Sequence, residues 1–233
     1  MLTHVAKASV QRGLAGTVKR FLLYPFAAHF RGLPSRPPRG TLLDVGSGTG
    51  LALAVLQRAG WRATGIEMDR RAAAVRPDLS IITGDLSTVE IPAGSAEVVR
   101  AWHLVEHVPD PLQTLQCLRE WLMPGGELIV GVPNIHSAMR WGFGTRWAGW
   151  QPPYHVYHFT PATIGRLVAR AGFSHIRVRC ASVGTALDSL MAGRGATGRW
   201  LATNPVVRLL SIYMDLGLDL CGVGDGLEVR ATR

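Results

Sequence analysis

The chain is 233 residues long, 47% hydrophobic and 18% charged, which suffices to bury the core of one globular domain and excludes global disorder. Its formal net charge is +9, but the excess is local: no acid precedes Asp44, whereas Lys7, Arg12, Lys19, Arg20, Arg31, Arg36 and Arg39 do. The basic character therefore belongs to an N-terminal arm, suited to a phosphate-rich surface or simply to solvent. That arm lacks interleaved aromatics through Arg20, which argues against a nucleic-acid partner. Cys117, Cys180 and Cys221 have neither metal nor redox spacing. Their odd number argues against a disulfide framework, so a reducing cytoplasm is the expected compartment.

In chain order, Val10, Leu14, Val18 and Leu22 recur at helical spacing and predict an amphipathic helix up to about Pro25. The Pro- and Arg-rich run Gly32 to Gly40 reads as a linker, so residues 1–40 are expected to form an arm ahead of a domain over 41–233. Strands are expected over Thr41 to Val45, Ala63 to Ile66, Leu79 to Ile82, Glu97 to Ala101 and Leu128 to Val132. Helices are expected over Leu51 to Ala59, Arg70 to Val75 and Leu112 to Leu122, the last ended by Pro124-Gly125-Gly126. Such alternation specifies an α/β fold: a doubly wound, mostly parallel sheet with helices on both faces.

Residues 134–160 form an aromatic, Gly-rich stretch carrying Trp141, Phe143, Trp147, Trp150, Tyr154, Tyr157 and Phe159. It is readable as ordinary packing or as the dry, lid-like wall of an apolar pocket. Thr160-Pro161 opens a helix by N-cap and N1 chemistry, and Gly172 stops it. Ile176 to Cys180 and Leu227 to Ala231 are the last two strands. Between them lies an apolar helix over 206–220, with Arg208, Asp215 and Asp219 on one face. It is amphipathic and too interrupted to span a bilayer.

The strongest motif is Asp44-Val45-Gly46-Ser47-Gly48-Thr49-Gly50, an apolar strand running through three spaced glycines into a helix. Glycines let backbone approach a ligand that a β-carbon would block, and the helix behind them offers free amides. A dinucleotide fingerprint needs a third glycine at position 51, where Leu51 stands, and no Gly-Lys-Ser or Gly-Lys-Thr phosphate loop is present. The spacing favours a ligand without a pyrophosphate. Glu67 closes the second strand, where a carboxylate can accept hydrogen bonds from ribose hydroxyls, and Asp85 follows the third, where one can accept from an adenine amino group.

The run Leu43 to Gly50, with Gly65-Ile66-Glu67, Gly84-Asp85, Glu106-His107-Val108-Pro109-Asp110-Pro111 and Leu122-Met123-Pro124-Gly125-Gly126, closely resembles the class I S-adenosylmethionine methyltransferases. Within them it is most similar to the branch of ubiquinone-biosynthesis O-methyltransferases, over about Thr41 to Phe173. The resemblance implies a Rossmann-like seven-stranded sheet with an antiparallel last strand, and S-adenosyl-L-methionine as cofactor. It implies that the loop with Gly46, Ser47, Gly48 and Gly50 holds the methionine portion, Asp44 orients that loop and the amino-acid end, Glu67 binds ribose and Asp85 binds adenine. Trp102 and His103, at the tip of the fourth strand, are expected in the same crevice. Ser47 stands where the family commonly has cysteine, and Ala96-Glu97 where it has Phe-Asp.

For the chemistry itself, His103, Glu106 and His107 spell H-x-x-E-H. On a helix that string can bind zinc, but here it lies at a strand-to-helix junction. Some relatives are thought to hold a divalent metal at Glu-x-x-Glu-His, and His103 replaces the first of those oxygens. The other reading is that Glu106 and His107 brace the loop, and no metal is expected. Gln151-Pro152-Pro153-Tyr154 resembles the motif of adenine amino-methyltransferases but follows the fifth strand rather than the fourth. His155, His158 and His107 are the candidate bases for a substrate hydroxyl, against a packing role, because imidazole titrates near neutral pH. No lysine follows Lys19, which leaves the body without a lysine-assisted mechanism. The expected acceptor is a hydroxyl of a small or lipid-linked molecule. Alternatives are a carboxylate, carbon or nitrogen acceptor, or a cofactor-binding partner subunit. The two amphipathic segments either pack on the body or rest on the inner face of the membrane.

Overall fold

Thr41–Val45 (β1) is apolar along nearly its whole length and buried on both faces, the pattern of a central strand in a parallel sheet. The structure, a computed structural model, describes residues 31–34, 37, 38, 40–191 and 195–233; the expected N-terminal helix lies outside them. After β1 come Leu51–Arg58 (α1), Arg62–Glu67 (β2), Arg70–Ala73 (α2), Ile81–Thr83 (β3), Ala96–Trp102 (β4), Pro111–Trp121 (α3) and Leu122–Pro133 (β5). Then follow Ala138–Phe143 (α4), a 3-10 turn at Gly144–Arg146, Pro161–Arg170 (α5), Ser174–Cys180 (β6), Thr185–Met191 (α6), Gly195–Thr203 (α7), Pro205–Leu220 (α8) and Gly226–Thr232 (β7).

The seven strands lie in the order β3-β2-β1-β4-β5-β7-β6. Pairs β1–β2, β1–β4, β2–β3 and β4–β5 are parallel. β7 runs against its neighbours: Asn134 N donates to Asp225 O and Arg233 N to Gly126 O on one side, and Ala181 N donates to Gly226 O on the other. This is the mixed, mostly parallel sheet the resemblance implies. The chain leaves β1 toward β2 on one side and returns to β4 on the other, so the switch point lies at the carboxyl ends of β1 and β4, where open α/β sheets bind ligands.

Several boundaries differ from those the pattern suggests. β3 begins at Ile81 rather than Leu79. β5 starts at Leu122, which leaves α3 in extended geometry, and Pro124-Gly125-Gly126 lies inside the strand rather than after the helix. The reason is a bulge: the register jumps from Ala96↔Leu122 to Val98↔Glu127, and Gly125 takes φ 75, a conformation glycine adopts without steric cost. The supposed linker is anchored at its start. Gly32 is buried, donates its N–H to Glu228 Oε2 (3.0 Å), and accepts from Arg100 Nε (3.0 Å) at its carbonyl.

Contacts divide the described residues into two compact units. The first, residues 32–132, 162–178 and 228–233, carries the sheet. Its core packs Leu42, Leu53, Leu56, Trp61, Ala63, Val98 and Ile129, flanked by Leu33, Leu79, Ile81 and Trp102. Each fully buried leucine there contributes about 1.5–3 kcal/mol.

The second unit comprises residues 31, 133–161 and 179–227 and is organised by buried acids. Fully buried Asp225 accepts from Val183 N (2.7 Å), Thr185 N (2.7 Å) and Thr185 Oγ1. It thereby caps α6 from a distant point in the chain, and neither α6 nor α7 stood out in the periodicity. Asp219 accepts from Ser182 N and Oγ (2.9 and 2.6 Å) and pairs with Arg31 Nη2 at 3.0 Å. On the helix expected over 206–220, Asp215 is buried and Asp219 faces Ser182 and Arg31, whereas Arg208, Val206, Leu209, Leu210, Met214 and Leu220 are exposed.

Burial pushes the Asp215 carboxyl up to about 7; the negative charge of Asp225 adds to the rise, Arg31 opposes it and Asp219 adds further. An unfolded aspartate titrates near 3.9, so between roughly pH 4 and 7 the folded state holds a proton that the unfolded state has lost. Stability from this group is present below that window and is lost as pH rises through it. Asp215→Asn is expected to flatten this loss and to raise the urea midpoint above wild type at pH 8 but not at pH 4. Denaturation curves at both pH values check it.

Candidate cofactor site

The glycine loop wraps around the end of β2. Gly46 N and Ser47 N both donate to Ile66 O, at 2.8 and 3.1 Å, and Gly50 N donates to Ser47 O at 3.0 Å. Gly46, Gly48 and Gly50 take φ of 71, 54 and 78, where a β-carbon is strained. Their surroundings differ. A β-carbon on Gly48 would meet nothing within 4 Å, so the backbone there is open to a ligand. One on Gly50 would strike Leu79 Cδ1 at 2.5 Å, so this glycine serves packing and the turn into α1.

Glu67, at the tip of β2, accepts from Gly48 N through Oε2 (2.7 Å) and from Asp69 N through Oε1 (2.9 Å). It holds the loop in shape, and each oxygen keeps a lone pair for a further donor. Asp85 accepts from Ser87 Oγ (2.6 Å) and Ser87 N (2.8 Å), the Ser87 hydroxyl being the stronger influence that holds its carboxyl below the usual range. Asp44 is fully buried. Its Oδ1 accepts from Arg100 Nη1 at 2.5 Å, and its Oδ2 has no hydrogen-bond partner among the described residues. Burial pushes this carboxyl up, Arg100 pulls it down and Glu67 pushes it up again. Ser47 Oγ, also buried, is likewise without a partner. Unpartnered polar atoms in a buried place are costly unless something else satisfies them.

At the tip of β4 the two expected residues part ways. The Trp102 ring fills the space that β-carbons on Gly32 and Gly131 would occupy, at 2.3 and 2.4 Å, and it lies under the Arg100 guanidinium. Its ring is a packing element. His103 is left-handed at φ 54, and its Nδ1 lies 2.8 Å from Glu106 Oε1. Glu106 is fully buried, with Oε2 unpartnered. Glu106 is thus a brace, and what it braces is His103. His107 donates its backbone N–H to Leu104 O at 2.9 Å in the following turn.

The other candidate bases lie in the second unit. His155 is buried, and its Nδ1 is 2.8 Å from Gly149 O. A carbonyl only accepts, so Nδ1 donates the proton in this contact. The His158 ring leans on Trp150 with centroids 5.0 Å apart, and its Nε2 is buried without a partner. Trp147 is buried and donates from Nε1 to Thr185 Oγ1, whereas Trp141 and Tyr154 are exposed. The aromatic stretch thus combines packing residues with exposed ones.

Sequence reasoning passed over Arg100. Its signal was present: a cation within the apolar run Val98 to Trp102, at the β4 position that pairs with Asp44. Glu228 in β7, whose partners come from Gly32 and Arg230, carried no comparable cue.

A sequence profile described as "Methyltransferase domain" matches residues 10–178. The ubiquinone biosynthesis O-methyltransferase of Paramagnetospirillum magneticum is 37% identical, over 57% of this chain and 58% of that protein. The chain spans 32% to 58% of the length of the first curated relatives it matches. Among solved structures, a SAM-dependent methyltransferase of Thermotoga maritima superposes with a TM-score of 0.62 at 18% identity, covering 94% of this chain and 95% of that one. Phosphoethanolamine N-methyltransferase 2 of Haemonchus contortus, solved with S-adenosyl-L-methionine, gives 0.59 at 16% identity, over 89% of this chain and 51% of that one. At these identities the two structures share the fold. With most of its length matched by the profile and its strand order as described, the chain belongs to the methyltransferase domain family.

Proposed function

We propose that the protein is an enzyme that transfers a methyl group from S-adenosyl-L-methionine to a hydroxyl oxygen of a small or lipid-linked acceptor. The observation that carries the cofactor reading is the pair of buried atoms without a hydrogen-bond partner among the described residues, Asp44 Oδ2 near the end of β1 and Ser47 Oγ on the loop that follows, beside the open backbone of Gly48. A ligand bearing an ammonium and hydroxyls satisfies such atoms. On this reading Gly46, Ser47, Gly48 and Asp44 hold the amino-acid end, Glu67 the ribose and Asp85 the adenine. Gly50 shapes the loop, and His103 with Trp102 borders it. The cofactor supplies an already activated methyl group, so the protein has to position a nucleophile in line and keep the site dry. His155, His158 and His107 are the candidate acceptors for a hydroxyl proton. Oxygen as the methylated atom rests on the likeness to the Paramagnetospirillum relative.

No helix among the described residues is long and apolar enough to cross a membrane. The outward face of α8 nonetheless shows Val206 (63% exposed), Leu209, Leu210 (64%), Met214 and Leu220, and Trp200 on α7 is 61% exposed. Arg208 is the one exposed charged side chain described on α8. An apolar stripe with a cation beside it, in a chain whose first acid is Asp44, suits peripheral contact with an anionic lipid surface.

Three measurements test this reading. Glu67→Ala is expected to weaken calorimetric binding of S-adenosyl-L-methionine by about 1.5–3 kcal/mol, the worth of a charge-assisted hydrogen bond; unchanged affinity refutes the ribose assignment. Methyl transfer is expected to survive exhaustive chelation, measured as conversion of labelled cofactor by purified protein with extracted lipids and small metabolites. Loss of activity that one divalent ion restores would return His103, Glu106 and His107 to the role of metal ligands. Anionic vesicles are expected to float the full-length protein at low salt, with less protein floating when salt is added or when Leu209 and Leu210 are both changed to Glu. Full-length protein that stays with the soluble fraction at low salt ends the membrane reading.

A further inference from the structure

We infer that Arg100 is a positioning residue of the cofactor loop, aiming the Asp44 carboxylate at the ligand's ammonium and fastening it to the Gly32–Leu33 backbone. The inference rests on the reading that Asp44 receives the amino-acid end of the cofactor.

Asp44 and Arg100 are partners in the register of β1 and β4, so their side chains leave the same face of the sheet side by side. Arg100 uses two edges of its planar fork on two different acceptors: Nη1 donates to Asp44 Oδ1 at 2.5 Å, and Nε donates to Gly32 O at 3.0 Å. With Oδ1 engaged, the rotation of the carboxylate is fixed, and Oδ2 is the oxygen left for a ligand. A lysine's point-like ammonium cannot reproduce this two-handed hold.

The far end of the hold is itself fixed. Gly32 N donates to Glu228 Oε2 at 3.0 Å, and Glu228 Oε1 accepts from Arg230 Nε at 2.6 Å. Arg230 donates from Nη2 to Leu33 O at 2.8 Å and from Nη1 to Glu127 Oε1 at 3.0 Å. Charges of alternating sign therefore run from Asp44 through Arg100, across the Gly32 peptide, to Glu228, Arg230 and Glu127. Gly32 sits at φ 67, and a β-carbon on it would lie 2.3 Å from the Trp102 ring, so the segment has no slack to drift. Gly32 and Leu33, ahead of β1, are in this way part of the loop's support.

The charges facing Asp44 are Arg100 from β4 and Glu67 from β2; burial and Glu67 favour the neutral acid, and Arg100 opposes both. Without Arg100 the carboxyl protonates at higher pH and ceases to be a charged acceptor. The loss of affinity then grows as pH falls and is reversed as pH rises, which damage to packing alone does not produce.

The test is calorimetric titration of full-length protein with S-adenosyl-L-homocysteine between pH 6 and 8.5. Arg100→Met is expected to bind about tenfold more weakly than wild type at pH 6.5, the scale of one charge-assisted hydrogen bond, and to recover toward wild type at pH 8.5. Arg100→Lys keeps the charge but not the fork; it is expected to keep the wild-type pH profile with affinity lowered severalfold throughout. Arg100→Met that matches wild type at every pH, or is weakened equally at every pH, overturns the inference, as does Arg100→Lys with wild-type affinity. If Arg100→Met fails to fold, Arg100→Lys decides alone. Asp44→Asn separates this inference from the reading beneath it: wild-type affinity in that variant sinks the assignment of the ammonium to Asp44, whereas weak, pH-independent binding upholds it and leaves Arg100 to be judged on its own variants.

Discussion

A carboxylate and a guanidinium buried side by side on the two central strands set the terms for the sheet unit. Removing two charges from water costs several kcal/mol per ion, and their mutual attraction repays it only when further hydrogen bonds are made. Asp44 and Arg100 meet this condition incompletely. Arg100 finds Gly32 O as its second acceptor, while Asp44 keeps one oxygen without a partner. The polar surplus is therefore left at the end of β1, beside the glycine loop. The strain of the loop follows the same logic. Backbone amides of Gly46 and Ser47 are spent on Ile66 O and that of Gly48 on Glu67, so the loop is shaped before any ligand arrives, and Gly48 presents open backbone rather than a methyl group.

The second unit uses buried acids for a different purpose. Asp225 supplies acceptors to the amides that open α6, and Asp219 does the same for Ser182. The Asp219 bonds hold one side of α8 inward, while Val206, Leu209, Leu210, Met214 and Leu220 stay outside. The helix is amphipathic, as its periodicity indicates, and its two acids lie on the inward side. A carboxylate that satisfies several backbone donors offsets part of the hydration it loses with strong, charge-assisted hydrogen bonds, whereas an exposed aliphatic side chain costs only its own transfer free energy. Asp215, on the same inward face, takes up a proton more readily because it is buried and lies near the negative charge of Asp225.

Much of the candidate site is legible from residue types and spacing alone, because it consists of strand ends. Gly46 to Gly50, Glu67 and Asp85 each follow directly on an apolar strand, and their placement depends on the chain's local direction. The tips of β4 and of the aromatic stretch are less legible. Trp102 and His103 are adjacent in sequence, but alternation along the strand sends the Trp102 ring into packing against Gly32 and Gly131, while the left-handed turn at His103 directs its imidazole to Glu106. His155 and His158 differ in the same way: one ring is fixed by a backbone carbonyl and the other leans on an indole. No spacing rule separates two histidines three residues apart.

By itself the sequence determined the parallel sheet, its switch point and the glycine loop, since all three follow from local alternation, from the need to bury apolar strands on both faces and from backbone conformations that glycine alone adopts freely. Only the tertiary structure decided which polar groups are paired. Asp44 with Arg100, Gly32 with Glu228, Thr185 with Asp225 and Ser182 with Asp219 join residues 37 to 196 positions apart. Such bonds are worth little in water and much in a buried place. Their existence therefore depends on which segments the folded core brings together, and so does the face that α8 turns to solvent.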